Sequence, residues 1–174
     1  MKFRDPELLR DAHDVADFDS GEQSLDNWLT QRAKKSQLGD TARTFVCFPP
    51  DASRVVGFVS LASGSVRREL APGALSRNAP DPIPVAILAR LAVDRQYQGN
   101  GLGSLLMAHA LERVVAASEH VAFKAVVVNP ISASAAAFYE SRGFRPIPAD
   151  DSAQYLTLAE IIKTYAAVAQ THRS

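Results

Sequence analysis

The stretch "RQYQGNGLGSLLM", Arg95 to Met107, places Gly99, Gly101 and Gly103 at alternate positions and then turns at once into an apolar run. Glycine inside a regular element costs roughly 0.5–1 kcal/mol relative to alanine, so three together imply that the backbone itself is wanted there. The residues before it, "IPVAILARLAV" (83–93), are apolar on both faces and β-branched, which suits a central strand. The residues after it carry Met107, Ala110, Leu111, Val114 and Val115 at helical spacing. The glycines therefore occupy a strand–loop–helix junction. First-turn N–H groups of such a helix lack intrahelical partners, and its dipole favours negative charge. With no Cβ in the way an anion can reach them, so the junction reads as a phosphate or pyrophosphate site.

Spacing removes two familiar phosphate loops. A P-loop needs a lysine after its last glycine, where this chain has Ser104. A dinucleotide fingerprint reads G-x-G-x-x-G, against G-x-G-x-G here. It also wants an acidic residue ending the next strand, and "FKAVVVNP" (123–130) offers none.

Working outward, "DSGEQSLDNWLTQRAKKSQ" (19–37) predicts a helix. Ser20 and Gln23 fit a capping box, with Leu25, Trp28, Leu29 and Ala33 at helical spacing. "RTFVCF" (43–48) and "RVVGFVSLASGSV" (54–66) read as a hairpin across the breaker "PPDAS". "ELAPGALSRNAPDP" (69–82) is a loop. "FKAVVV" (123–128) is a buried strand, and "SASAAAFYESRGF" (132–144) a short helix stopped by Gly143. "QYLTL" (154–158) predicts a last strand and "AEIIKTYAAVAQ" (159–170) a terminal helix. The expectation is an α/β layer fold with a mixed sheet flanked by helices, one domain over residues 1–174.

Apolar residues make up 47% and charged residues 22% of the 174, an ordinary globular composition. The N-terminus has no apolar h-region and no run reaches about 18 apolar residues, so neither a signal peptide nor a membrane span is expected. Cys47, the single cysteine, reads as a buried strand residue of a chain in the reducing cytoplasm. His13, His109, His120 and His172 show no metal spacing and read as surface or helix-end residues, so no metal is expected. Glu112 and Glu119 read as solvated. The net charge is zero but uneven: residues 1–28 balance to −5 and residues 29–113 to +5. The basic middle could face an anion such as RNA, or be an ordinary solvated surface.

The pattern Gln98-x-x-Gly101-x-Gly103 resembles the pyrophosphate loop of the GNAT family of acetyl-CoA-dependent N-acetyltransferases. "LARLAVDRQYQGNGLGSLLM" (88–107) is similar to that family's central strand, loop and helix, and "AAAFYESRGF" (135–144) to its later helix. The resemblance covers residues 13 to 160, leaving 161–174 as a terminal helix or tail. "DFDSGEQSLDNWL", "ARTFV", "GFVSLASGSV", "RNAPDPIPVAILARLAVD" and "FYESRGF" together resemble the GNAT toxins of type II toxin–antitoxin modules, the TacT-, KacT- and AtaT-like proteins. That resemblance implies a GNAT fold and transfer of acetyl to the amino group of aminoacyl-tRNA, inhibiting translation. It also implies a homodimer and a ribbon-helix-helix antitoxin whose complex binds operator DNA. A GNAT enzyme for a free amine or protein amino group, or an inactive acetyl-CoA-binding module, are the competing readings.

The resemblance implies acetyl-CoA held at Leu91 and Val93 and along Gln98, Gly99, Asn100, Gly101, Leu102, Gly103 and Ser104. Strand groups freed near Val93 would find partners in the pantetheine amides, and the Val93 N–H is a candidate oxyanion donor. Tyr139 matches the family's general acid, protonating the leaving thiolate; Phe138 reads as a packing residue. At Ser132 the chain departs from the asparagine or acidic residue common in the family, so no CoA contact is carried over there. No strong general base stands out. An α-amino group, with a pKa of about 7.7–8.0, is partly neutral already, whereas a lysine near 10.4 is not. A site without a base thus suits aminoacyl-tRNA. Lys34, Lys35, Arg43, Arg77 and Arg90 form the candidate RNA-facing surface, with an ion pair at a strand edge as the alternative for Arg90.

Overall fold

The computed structural model describes residues 2–171. In chain order its strands are β1 (Glu7–Leu8), β2 (Arg43–Cys47), β3 (Gly57–Val66), β4 (Ile83–Val93), β5 (Ala125–Val128), β6 (Arg145–Ile147) and β7 (Asp150–Thr157). Its helices are α1 (Gln23–Gln31), α2 (Ala33–Leu38), α3 (Gly73–Ser76), α4 (Leu102–Ser118), α5 (Ala133–Glu140) and α6 (Leu158–Thr171). The strands form one seven-stranded sheet in the order β1-β2-β3-β4-β5-β7-β6. The α/β architecture with a mixed, helix-flanked sheet stands as expected. β4 and β5, neighbours in the sheet, are joined through α4, the crossover that carries the glycine loop.

The chain forms two compact units, and β3, β4 and α4 each give residues to both. One unit contains residues 1–62 and 88–110. There the hairpin pairs antiparallel from Arg43 opposite Leu61 to Cys47 opposite Gly57. Inside it the buried hydroxyls of Thr44 and Ser60 satisfy one another at 2.9 Å. Leu29, Ala33, Val46, Phe48, Val55 and Phe58 form its core, with Leu25 and Trp28 packed on it from α1. The helical stripe predicted for residues 25–33 is therefore the buried face. The other unit contains residues 63–87 and 111–174. Its core joins Ile83 and Val85 of β4 to Ala125 and Val127 of β5 and to Ala153 and Tyr155 of β7.

Four local expectations need correction. The single helix over 19–37 is two helices, broken at Arg32, whose φ of −122° and ψ of −30° depart from helical values. Ser20 does not cap it. The cap position is Glu22, because Gly21 (φ +93°) turns the chain one residue later, and the Ser20 hydroxyl donates instead to Asp26 at 2.6 Å. The loop 69–82 contains α3, whose Leu75 is fully buried. β1 and β6 have two and three residues, too few for an alternating pattern to register.

Candidate functional site

The loop between β4 and α4 is held by side chains that bond its backbone. Asp94, fully buried, follows the last residue of β4. Its carboxylate accepts from Arg54 Nη2 at 2.7 Å, from the Gln96 N–H at 3.0 Å and from the Asp19 N–H at 3.1 Å. Arg95 pairs with Asp19 at 3.1 Å, a second tie to the N-terminal segment. Gln98 donates from Nε2 to the carbonyl of Val93 at 2.9 Å and to that of Ser20 at 3.1 Å. Asn100 closes the turn with a bond to the Tyr97 carbonyl at 3.1 Å. Gln98 and Asn100 thus shape the loop through its own backbone.

Gly99 and Gly101 have φ of +82° and +81°, left-handed values that glycine alone adopts without penalty, and a Cβ at either would stand in open space. Gly103 lies inside α4 and needs no such conformation. The Leu105 N–H bonds the Gly101 carbonyl at 3.1 Å, and the N–H groups of Leu102 and Gly103 precede it, with no carbonyl of α4 before them to bond. The Leu102 side chain is buried; a Cβ on Gly57 would meet it at 3.0 Å. Leu102 can therefore serve an anion through its backbone only. Leu91 and Val93 are half-buried at the end of β4. Open glycine backbone followed by the first-turn N–H groups at a long helix's positive end fits a pyrophosphate.

In the other unit, Ser132 caps α5, its hydroxyl accepting from the Ala135 N–H at 3.1 Å. That accounts for Ser132 without a ligand. Tyr139, in the last turn of α5, is buried between Phe138 and Phe144, with ring centroids 5.4 and 5.6 Å away. Burial pushes its phenol up to about 12. Its hydroxyl makes no hydrogen bond to the described residues. Phe138, expected only to pack, also carries the Arg142 guanidinium 4.5 Å from its centroid.

The five candidate cations are carried by four separate stretches of the chain. Lys34 and Lys35 lie on α2, and Lys34 donates to the Asp11 carbonyl at 3.3 Å. Arg43 is neutralised by Asp40 at 2.7 Å and also bonds the Gln37 carbonyl. Arg77 follows α3 in the other unit. Arg90, on β4, is half-buried with its guanidinium 4.5 Å from the Trp28 ring centroid. The ion pair considered for it is not formed among the described residues, and burial together with the nearby Arg32 lowers its basicity. Sequence reading gave Trp28 only a place in the apolar stripe of the helix and passed over Arg32; their relation to Arg90 arises only on folding.

Cys47 is fully buried, and burial with Asp5 nearby pushes its thiol up to about 12, the opposite of activation. Two histidines depart from the surface positions expected of them. His13 is held between Glu7, at 2.8 Å, and the Phe48 ring, and His109 sits within α4 against Phe45 at 4.9 Å. His172 lies outside the described residues. No described helix is long and apolar enough to cross a membrane.

The acetyltransferase (GNAT) domain model matches residues 41–146, which include the whole loop and Tyr139. A tRNA-acetylating toxin of Mycobacterium tuberculosis (strain ATCC 25618 / H37Rv) is 46% identical over 145 residues, 83% of this chain and 86% of that protein. Among solved structures, a tyrosine-to-phenylalanine mutant of KacT superposes with a TM-score of 0.87 at 26% identity, covering 94% of this chain and 99% of the other. AtaT complexed with acetyl-methionyl-tRNAfMet gives 0.85 at 28% identity, with coverages of 94% and 99%. A tyrosine-to-phenylalanine mutant of AtaT bound to acetyl-CoA and the C-terminus of the antitoxin AtaR gives 0.80 at 28%, with 94% and 98%. By the domain model and by the mycobacterial relative alike, the chain belongs to the GNAT acetyltransferase family.

Proposed function

We propose that the protein is a cytoplasmic toxin of a type II toxin–antitoxin module that moves acetyl from acetyl-CoA to the α-amino group of an aminoacyl-tRNA. The identity with the mycobacterial tRNA-acetylating toxin carries this reading. The whole chain, 1–174, acts as one acetyltransferase domain. The backbone of Gly99 to Ser104 takes the pyrophosphate, and Leu91 and Val93 bond the pantetheine arm. The amine nitrogen attacks the thioester carbonyl, whose developing charge the Val93 N–H stabilises. The new C–N bond forms and the C–S bond breaks, with the proton on the Tyr139 oxygen passing to the thiolate. A phenol raised to about 12 stays protonated at every physiological pH, so the acid is always armed. The amine must arrive neutral, which an α-amino group weakened by its ester does without a base.

The partner is a ribbon-helix-helix antitoxin that binds operator DNA with the toxin, and the toxin is a homodimer. Support comes from AtaT, which binds the C-terminus of its antitoxin together with acetyl-CoA, and from a KacTA–DNA complex. The deciding experiment incubates the protein with charged tRNA and labelled acetyl-CoA. Label on the aminoacyl moiety is the expected result. Label only on free polyamines or protein amino groups would replace the substrate while keeping the chemistry.

A further inference from the structure

Trp28 lies on α1, stacked on the core ring of Phe58 at 6.0 Å and 14°. The Arg90 guanidinium lies over the same indole, 4.5 Å from its centroid. One helical turn beyond Trp28, Arg32 donates its N–H to the Trp28 carbonyl at 2.9 Å, so the two residues share a helix face. Arg32 is exposed and close enough to Arg90 to oppose its charge. No carboxylate bonds either guanidinium among the described residues. Asp26, the acid within α1, is engaged by the hydroxyl and N–H of Ser20. The two arginines repel one another with no carboxylate bonded to either among the described residues, and Arg90 is held over an indole packed on the core.

We propose that Arg32 and Arg90, backed by Trp28, clamp a backbone phosphodiester of the acceptor end of the tRNA. The proposal rests on the substrate reading above. Planar guanidinium forks match a phosphate's oxygens in pairs, and an anion between them converts repulsion into attraction. The indole already carries a ring and a guanidinium, so it backs Arg90 and is no platform for a base; the clamp reads phosphate, not sequence. Arg90 is three residues before Val93, about 10 Å along the strand at roughly 3.3 Å per residue. An aminoacyl ester and a ribose separate the reacting amine from the first phosphodiester, which is a span of that order. The clamp thus sets how far the acceptor end advances toward the end of β4.

Trp28 is the chain's single tryptophan, so intrinsic fluorescence reads this site directly. Titration with the trinucleotide CCA is expected to change the emission saturably, with a midpoint that weakens as salt rises. Arg90→Ala and Arg32→Glu should abolish that change and raise the KM for aminoacyl-tRNA about tenfold, leaving the KM for acetyl-CoA unchanged. The slope of log affinity against log salt should fall by about 0.7 for one lost phosphate contact. Arg90→Lys separates charge from geometry, since it keeps the salt slope while losing the stacked fork. Should Arg90→Ala fail to fold, exposed Arg32→Glu supplies the same readouts. Folded variants with wild-type KM and salt slope would overturn the clamp. A CCA signal lost in the variants, in a protein that acetylates no aminoacyl-tRNA, would sink the substrate reading and uphold the clamp.

Discussion

At the residue scale, the three glycines that opened the reading do two different jobs. Gly99 and Gly101 hold left-handed dihedrals, whereas Gly103 is an ordinary helical residue. A side chain at Gly101 is strained by about 1–2 kcal/mol even though its Cβ meets no protein atom. Gly101→Val should therefore lower the melting temperature and weaken acetyl-CoA binding severely, as isothermal titration would record. Gly103→Ala should leave stability unchanged or slightly raised, as alanine favours a helix, while affinity falls if close backbone approach is its purpose. Equal affinities in wild type and both variants would end the pyrophosphate assignment. Tyr139 is tested separately. Tyr139→Phe keeps the ring between Phe138 and Phe144, so acetyl-CoA affinity should hold while kcat drops about 10²–10⁴-fold. The sign of the pH dependence follows from burial. A phenol raised to about 12 remains an acid up to that pH, so kcat should rise as the amine deprotonates and show no fall between pH 8 and 10. A descending limb centred near 10 would mean that the working acid is an ordinary, solvated group.

At the element scale, the loop depends on Asp94. Removing that carboxylate takes the ion-pair partner from Arg54, which keeps only its bonds to Gln96 Oε1 and the Asp17 carbonyl, and frees two backbone N–H groups at once. Asp94→Ala should destabilise the fold by about 3 kcal/mol, the lower range for breaking a buried pair, and weaken acetyl-CoA binding. Urea denaturation measures the first and titration the second; loss of stability with full affinity would show that the loop does not need its anchor. The junction was legible because its causes are local. An apolar run, spaced glycines and a helical stripe lie within 33 consecutive residues, 83–115. The break at Arg32 was not, since no glycine or proline marks it, and β1 and β6 are too short to show a period. The Trp28–Arg90 stack joins residues 62 positions apart, a pairing only the folded sheet creates. The capping box failed for a local reason that was visible but outweighed: Gly21 sits between Ser20 and the helix.

At the scale of the whole molecule, the +5 balance of residues 29–113 is redistributed by folding. Arg43, Arg54, Arg67 and Arg95 are consumed in ion pairs. Arg32, Lys34, Lys35, Arg68, Arg77, Arg90 and Arg113 have no carboxylate partner among the described residues. Counting charge in the sequence could not separate these sets, because two of the partners, Asp94 for Arg54 and Asp19 for Arg95, lie far along the chain. An RNA substrate must use the second set, and an antitoxin that silences the enzyme gains most by covering it. An acidic or amphipathic tail from the proposed ribbon-helix-helix antitoxin would neutralise the same cations and so compete with tRNA. Co-expression with that partner should then restore growth, and the purified complex should bind the operon's promoter. The isolated tail should inhibit competitively against aminoacyl-tRNA, and inhibition should weaken steeply between 50 and 200 mM salt, the range over which phosphate-driven affinities lose several orders of magnitude, roughly 10³–10⁵-fold for six to ten contacts. Reversal of Lys34, Lys35, Arg77 or Arg90 to Glu should reduce both tRNA acetylation and tail inhibition, with acetyl-CoA binding intact. If all four reversals leave both at wild-type values, the RNA-facing surface is elsewhere, and a free amine becomes the better substrate. Inhibition indifferent to salt and noncompetitive with tRNA would instead mean that the tail closes the acetyl-CoA side of the enzyme.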